Sequence, residues 1–308
     1  MAFGSRGLAD HRSPPIDRWD TMNPPNDSSS MYPKSMNSDE LRATMSDERE
    51  RDYVLVDVRQ PLEYQSGHIP GARLVPLTEL DLRSEELAGL KERKVIFYCH
   101  SGVRSLRAAQ FAIEALLLPN VYNLSGGIVA YRGQLLDGFP ELESFDMNGT
   151  VVELVRNAID LEKGTHRLYS ALKAHVAGTP LEVLMRELEK AEIGHARLLY
   201  DVLLRVSGSG ERDFDALYDS LGGTRTESGA PVETLVEQAK FLGRQGELAL
   251  LEMALNLELR AYETYKNLGS AVVDDASRGT LLDLAQQERR HVESIGNKMG
   301  ELMIGGMH

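Results

Sequence analysis

Two groups of residues in this chain have the types and spacing of reactive sites. The first is Cys99-His100-Ser101-Gly102-Val103-Arg104-Ser105, which holds the only cysteine in 308 residues. Lys94 to Tyr98 before it is a short apolar, β-branched and aromatic run that reads as a buried strand. Val103 to Leu117 after it carries apolar residues at helical spacing, with no breaker until Pro119. Cys99 is therefore expected where a strand ends and a helix begins. The first backbone N–H groups of a helix lack internal partners, and its macrodipole favours negative charge there. Gly102 lets the loop curl into a nest of inward N–H groups, and Arg104 adds a fixed positive charge. A thiol in that setting is expected to have a depressed pKa. A lone cysteine is ordinarily a small buried hydrophobe; the glycine and arginine at these offsets weigh against that reading.

The second group emerges from an internal repeat. A gapless shift of 96 residues places Leu154 on Leu250, Ala158 on Ala254, Leu161 on Leu257 and Glu162 on Glu258. It also places Tyr169 on Tyr265, Leu172 on Leu268, Val176 on Val272, Leu188 on Leu284, Glu192 on Glu288 and His195 on His291. Apolar steps of three and four give each helix a buried stripe. Glu192-x-x-His195 and Glu288-x-x-His291 each project from one helical face, and Glu162 and Glu258 add one carboxylate from each remaining helix. This is the ligand pattern of di-iron and di-manganese carboxylate bundles. Four carboxylates balance two divalent ions, whereas four buried and unpaired ones would destabilise the core. Oxygen and imidazole ligands without thiolate suit iron or manganese better than structural zinc. His166 and His175 have no counterpart in the other repeat and are expected at the surface. Glu252 and Glu263 could serve as extra ligands, but solvent-facing positions are the expectation.

The elements that must position these groups divide the chain. Residues 1–35, with Pro14-Pro15, Pro24-Pro25 and Ser28 to Ser30, read as a disordered leader. Ser38 is expected to cap a short helix from Asp39 to Met45. Strands are expected at Tyr53–Val58, Ala72–Pro76, Lys94–Tyr98 and Asn120–Leu124, alternating with helices, so residues 36–145 form an open parallel α/β layer domain. Its ligand site lies beyond the carboxyl ends of the strands, where Cys99 sits. Residues 146–308 read as long helices at about 148–177, 181–206, 232–269 and 276–303. The third has a possible interruption at Gly243 to Gly246, and a short helix is expected near Asp213–Leu221. Two short-turn pairs joined by one long crossover make an all-α ferritin-like four-helix bundle.

A formal charge of −13 and a pI of about 5.2 argue against nucleic acid or an anionic membrane as partners. No apolar run approaches the ~20 residues of a membrane span. A working thiolate needs a reducing compartment, so the cytoplasm is expected.

Asp57-Val-Arg59, Glu63, Gly67-His-Ile-Pro-Gly-Ala72, the Cys99 loop and Leu124-Ser-Gly-Gly127 with Tyr131 and Arg132 resemble the rhodanese sulfurtransferases. The resemblance spans residues 36–140. It implies that Cys99 carries a persulfide, its outer sulfur cradled by the N–H groups of His100, Ser101, Gly102, Val103 and Ser105 and by Arg104. Asp57 and Arg59 are expected to anchor the loop, and His68 to be structural. His100 is open between an acid/base or donor-specificity role and no chemical role. Four residues separate Cys99 from Arg104; related phosphatases on the same sheet have one more, making a ring for tetrahedral phosphate. A phosphatase or arsenate reductase chemistry is the runner-up for this domain.

Residues 148–303 resemble the rubrerythrins. That resemblance implies two iron ions, with manganese possible, bound by Glu162, Glu192, His195, Glu258, Glu288 and His291. It also implies supporting roles for Tyr169 and Tyr265, and a homodimer through the bundle. Rubrerythrins usually carry a further ligand glutamate three residues after the first on helix three; here that position is Ala261. They often carry a four-cysteine electron-transfer module, which one cysteine excludes, so an external electron-donor protein is expected. The whole reads as a sulfurtransferase taking sulfur from a small donor and passing it to a thiol or cyanide-like acceptor. It is fused to a di-iron domain that reacts with peroxide or oxygen. The alternative is an iron-binding redox sensor coupled to the sulfurtransferase domain.

Overall fold

The computed structural model describes residues 32–138, 150–208, 213–243, 246–272 and 274–305. The expected leader therefore lies almost wholly outside the described residues, but not to its end: Lys34–Met36 is already strand β1. It pairs in parallel with β5, Met36 opposite Leu124.

Helix α1 (Ser38–Asp47) follows. Its cap is Asn37 rather than Ser38, because the Asn37 side chain accepts from the amides of Asp39 and Glu40 while Glu40 returns a bond to the Asn37 amide at 2.7 Å. This reciprocal arrangement satisfies more of the free amides than a serine one residue later would. β2 (Tyr53–Asp57), α2 (Pro61–Gln65), β3 (Arg73–Leu74), a 3-10 turn at Leu77–Glu79, α3 (Ser84–Ala88) and β4 (Lys94–Tyr98) come next. β3 is shorter than the expected strand, since Pro76 cannot donate to a ladder. α4 (Val103–Glu114), β5 (Val121–Leu124) and α5 (Gly127–Ala130) complete the layer.

The five strands are parallel in the order β1-β5-β4-β2-β3. β2 is buried throughout because both sheet faces are covered. Val54, Val56, Val95 and Phe97 pack with Ala108, Ala109 and Ala112 of α4 on one side. Tyr53, Leu55, Ile96 and Tyr98 pack with Leu41, Tyr64 and Ile69 on the other. This is the two-residue alternation of a strand expressed as two cores. β4 is the central strand, so Cys99 lies at the middle of the carboxyl edge.

The remainder is helical: α6 (Val151–His175), α7 (Glu182–Ser207), α8 (Phe214–Ser220), α9 (Val232–Leu242), α10 (Glu247–Ala271) and α11 (Asp275–Gly305). Thr150 and Glu153 form a capping box at the start of α6. The expected third helix is two, α9 and α10, broken at Gly243–Gly246, where Gly246 takes φ 121°. α6, α7, α10 and α11 form the four-helix bundle, with α8 and α9 on the crossover. Two apolar layers fill it, one around Leu154, Leu161, Leu199 and Leu284 and one around Leu168, Leu172, Leu188 and Leu257.

The sheet domain and the bundle share a buried polar seam. The Glu50 carboxylate, 1% exposed, receives Lys266 at 2.9 Å, Arg289 at 2.8 Å and the Tyr53 hydroxyl at 2.7 Å. Arg289 also donates to the carbonyls of Ser46 and Glu48, each at 3.2 Å. Arg51 pairs with Asp283. Glu263 does not face solvent as expected. Its Oε1 lies 2.7 Å from His68 Nε2 and accepts from the Gly71 amide at 3.2 Å. The reason is that α10 has two occupied faces: one lines the bundle and the other packs on the sheet domain. His68, stacked on Tyr64 with ring centroids 3.7 Å apart, is structural as expected. Glu252 and His175 are exposed, and half-buried His166 meets the Tyr218 hydroxyl at 3.3 Å.

Candidate functional sites

The sheet domain builds its site from the end of β4. Cys99 is fully buried at the floor of the loop; its Sγ accepts from the Gly102 amide at 3.1 Å and lies 3.4 Å from the Ser105 hydroxyl, whose one proton it shares with Asn123. Ser105 is fixed in turn by donating to Asn123 at 2.6 Å. Burial is the largest single influence on the thiol and would raise its pKa. The bonds from the Ser105 side chain and amide and from the amides of Ser101 and Gly102 outweigh it, so the pKa is lowered. Gly102, at φ 94°, turns the chain so that these amides converge. Gly127, at φ 58°, backs the loop so closely that an added Cβ would stand 2.4 Å from the Cys99 carbonyl oxygen.

Arg104 does not point freely from the loop. Its two terminal nitrogens donate to the two oxygens of Glu63, each at 2.7 Å. That fork is the main reason the Glu63 carboxyl is held down at about 2. Glu63 is thus a member of the site whose role only the fold reveals. Asp57 and Arg59 form a buried pair at 2.7 Å, and Arg59 also donates to the Gly67 carbonyl at 2.8 Å and lies over the Tyr98 ring. They brace the neighbouring loop and the strand that ends at Cys99. His100, Ser101 and Val103 are exposed around the rim.

In the bundle, Glu162 on α6, Glu192 and His195 on α7, Glu258 on α10, and Glu288 and His291 on α11 converge between the two apolar layers. Their ligand atoms group within 4.8 Å as Glu162-Glu192-His195, Glu192-Glu258-His291 and His195-Glu288-His291. All except His291 are buried. His195 Nδ1 lies 2.8 Å from Glu288 Oε1 and 3.6 Å from oxygens of Glu162 and Glu192. Yet His195 Nδ1 and Nε2, Glu162 Oε2 and Glu288 Oε1 make no hydrogen bond that satisfies them. Buried polar atoms left so are costly, and a pair of cations would satisfy them. The donor set fits two iron or manganese ions.

The tyrosines cross between repeats. Tyr169 donates to Glu258, and Tyr265 donates to Glu162. Each hydroxyl fixes a carboxylate of the opposite repeat. Burial raises the Glu258 carboxyl to about 8, and burial with the charge of Glu192 raises Glu162 well above the usual range. His291 is raised to about 10: burial alone would lower it, but Glu258 and Glu288 outweigh that. One further carboxylate, Glu227 on the crossover, is also buried and raised, by burial first and Glu192 second. Nothing in the repeat marks it, because it stands outside the repeated segments.

Residues 37–134 match the family model described as a rhodanese-like domain, and residues 153–297 match rubrerythrin. A sulfurtransferase of Allochromatium vinosum is 39% identical over 80 residues, 26% of this chain and 72% of that protein. The uncharacterized protein YqhL of Bacillus subtilis is 37% identical over 102 residues, 33% of this chain and 75% of that protein. The chain belongs to the rhodanese-like family. Its rhodanese-like domain is fused to a rubrerythrin domain. The crystal structure of a rhodanese-like domain protein from Staphylococcus aureus aligns at 28% identity, covering 34% of this chain and 99% of that one, with a TM-score of 0.30. No helix among the described residues is long and apolar enough to cross a membrane.

Proposed function

We propose that the rhodanese-like domain is a sulfurtransferase. The observation that carries this reading is the Cys99 sulfur, held by the Gly102 amide and Ser105 at the start of α4 with a lowered pKa. The Cys99 thiolate attacks the outer sulfur of a donor such as thiosulfate. The S–S bond of the donor breaks, sulfite leaves with the bonding pair, and Cys99 keeps the sulfur as a persulfide. The loop amides and Arg104 stabilise the negative charge on that outer sulfur. A thiolate or cyanide then attacks the outer sulfur, takes it, and returns Cys99 to thiolate. A ring one residue shorter than that of the phosphatases suits one sulfur better than a tetrahedral oxyanion. The test is sulfite release from thiosulfate with a thiol or cyanide acceptor. Cys99→Ser is expected to abolish it, and full retention of turnover would overturn the assignment.

We propose further that the rubrerythrin domain holds two ions, iron or manganese, through the six residues Glu162, Glu192, His195, Glu258, Glu288 and His291. Bound there, the ions would supply a redox centre reactive toward peroxide or oxygen, with electrons from an external donor protein. Tyr169 and Tyr265 orient Glu258 and Glu162, and the apolar layers limit water at the site. Metal analysis of iron-supplemented protein is expected to give about two ions per chain, lost in Glu192→Ala and Glu288→Ala. A sensor reading is favoured by one observation. α10 and α11 carry both metal-site residues and the residues that grip the rhodanese-like domain, Glu263 and Arg289. Catalytic peroxide consumption with a reductant supports the enzyme; stoichiometric oxidation alone supports the sensor.

A further inference from the structure

The crossover between the helix pairs is fastened to α6 along one face. Asp160 accepts from the Gly223 amide at 2.8 Å. Lys163 donates to the carbonyls of Tyr218 at 2.7 Å and Leu221 at 3.0 Å. Arg167 donates to the Gly223 carbonyl at 2.6 Å. These three residues are spaced three and four apart, so they form one stripe. Beside them α6 has Gly164, where a Cβ would stand 1.8 Å from the Arg225 carbonyl oxygen. The helix has therefore given up a side chain to let the crossover backbone lie against it. The chain then folds tightly, Thr226 donating to the Ala230 carbonyl at 3.1 Å and Gly229 to the Thr226 carbonyl at 2.8 Å. Glu227, inside that turn, is 1% exposed.

A connection on a surface has no structural need for a buried carboxylate. Glu227 Oε2 accepts from Thr165, the residue one helical turn after Glu162, and Oε1 has no hydrogen-bond partner. The charges that act on it are those of Glu192 and Glu288, and it acts in turn on Glu162. A carboxyl buried with one oxygen unpaired near other carboxylates stays neutral without a cation, and a bound cation is what would let it carry its charge there and satisfy the open oxygen. We propose that Glu227 is a fifth carboxylate of the metal site, delivered by the crossover toward the ion held by Glu162, Glu192 and His195. This rests on the di-metal reading of the bundle. The 96-residue shift places Thr165 on Ala261, so the other repeat has no hydroxyl at that position to hold such a carboxylate. The two ions are therefore inequivalent, and five carboxylates exceed the charge of two divalent ions by one. The side nearer Glu227 holds its cation more tightly.

The test is Mn(II) titration of the chelator-treated full chain, with free Mn(II) followed by electron paramagnetic resonance and Tm measured with and without the metal. Glu227→Gln is expected to weaken one of two sites about tenfold or more, and to shrink the metal-induced rise in Tm without lowering the Tm of the metal-free form. Should Gln prevent folding, Glu227→Asp keeps the charge but shortens the reach, and is expected to weaken the same site. Two sites of unchanged affinity, with a lower metal-free Tm, would make Glu227 a loop anchor only and overturn the proposal. Failure of the parent chain to bind Mn(II) would instead overturn the di-metal reading, and this proposal with it.

Discussion

Glu288 and Arg289 are consecutive in α11 and serve opposite sides of it. The Glu288 carboxylate lies 2.8 Å from His195 in the proposed metal site, and the Arg289 guanidinium lies 2.8 Å from Glu50 in the rhodanese-like domain. One peptide unit thus joins the bundle interior to the domain seam. Among the described residues Glu50 is the one carboxylate set against both Lys266 and Arg289, with Glu293 3.8 Å from Arg289 alone, so Glu50→Ala removes the shared partner of two buried cations. Breaking a buried pair in this way costs about 3–5 kcal/mol. Urea unfolding of Glu50→Ala is predicted to begin at lower denaturant and to split into separate steps for the two domains. A single transition at the parent midpoint would show that the seam does not hold them.

The same residue sets an acid limit. Burial is the largest influence on Glu50 and would raise its carboxyl, but Lys266 and Arg289 outweigh it, and the pKa is lowered. A carboxyl lower in the folded than in the unfolded chain contributes stability that is complete above the unfolded value of about 4.3. That contribution is lost as pH falls through the folded value. Acid titration followed by tyrosine fluorescence is predicted to show the domains separating below about pH 4.3, and Glu50→Gln is predicted to remove that transition. An unaltered acid transition in the variant would count against the seam as its cause.

Gly127 gives a test of the sulfur site independent of Cys99 itself. An alanine there would place its Cβ 2.4 Å from the Cys99 carbonyl oxygen and 2.6 Å from the His100 carbonyl carbon, at a φ of 58° that side chains rarely adopt. Backbone must yield, and the backbone in the way is the loop that supplies amides to the sulfur. Gly127→Ala is predicted to lose at least tenfold in sulfur transfer and to raise the thiol pKa, read as the pH dependence of alkylation at Cys99. Parent-like alkylation and turnover would mean that the loop does not depend on this close approach.

Much of this was legible in the sequence because the signals were local or repeated. Cys99, Gly102 and Arg104 lie within one loop, and their types suffice to suggest an anion nest. Glu162 and Glu258, like His195 and His291, announce each other across a fixed shift. Residues whose role depends on tertiary contact did not show that role in the sequence, even where, as with Glu63, they belonged to a motif. Glu63 belongs to the Cys99 site only because α2 brings it to Arg104. Glu263 looked solvent-facing because one helix pattern cannot reveal a second occupied face. Glu227 stands in a crossover, where glutamate is ordinarily a solvated residue; its one sequence hint is the neighbouring Ser228-Gly229-Ala230-Pro231 turn. The seam around Glu50 joins residues more than 200 positions apart, beyond the reach of any pattern.

The metal site makes a prediction about protons. Without metal, Glu258 sits at about 8 through burial, and His291 at about 10 because Glu258 and Glu288 outweigh its burial. The two are a coupled pair that keeps at least one proton at pH 7, yet a carboxylate or imidazole must give up its proton to bind a cation. Loading Mn(II) or Fe(II) at pH 7 is predicted to release at least one proton per chain, seen as acidification of weakly buffered solution. The same shifts fix how the metal-free form responds to pH. Above about 4.3 the folded pair keeps a proton that an unfolded glutamate has lost, and above about 6.5 one that an unfolded histidine has lost as well, because both groups are raised in the fold. Stability of the metal-free form is therefore predicted to fall as pH rises from about 5 to 9. Glu288, held low despite burial by the charges of His195 and His291, has the opposite sign but acts only below about 4.3. Metal loading without proton release, together with a metal-free stability flat across that window, would mean that these groups are unprotonated before the ions arrive.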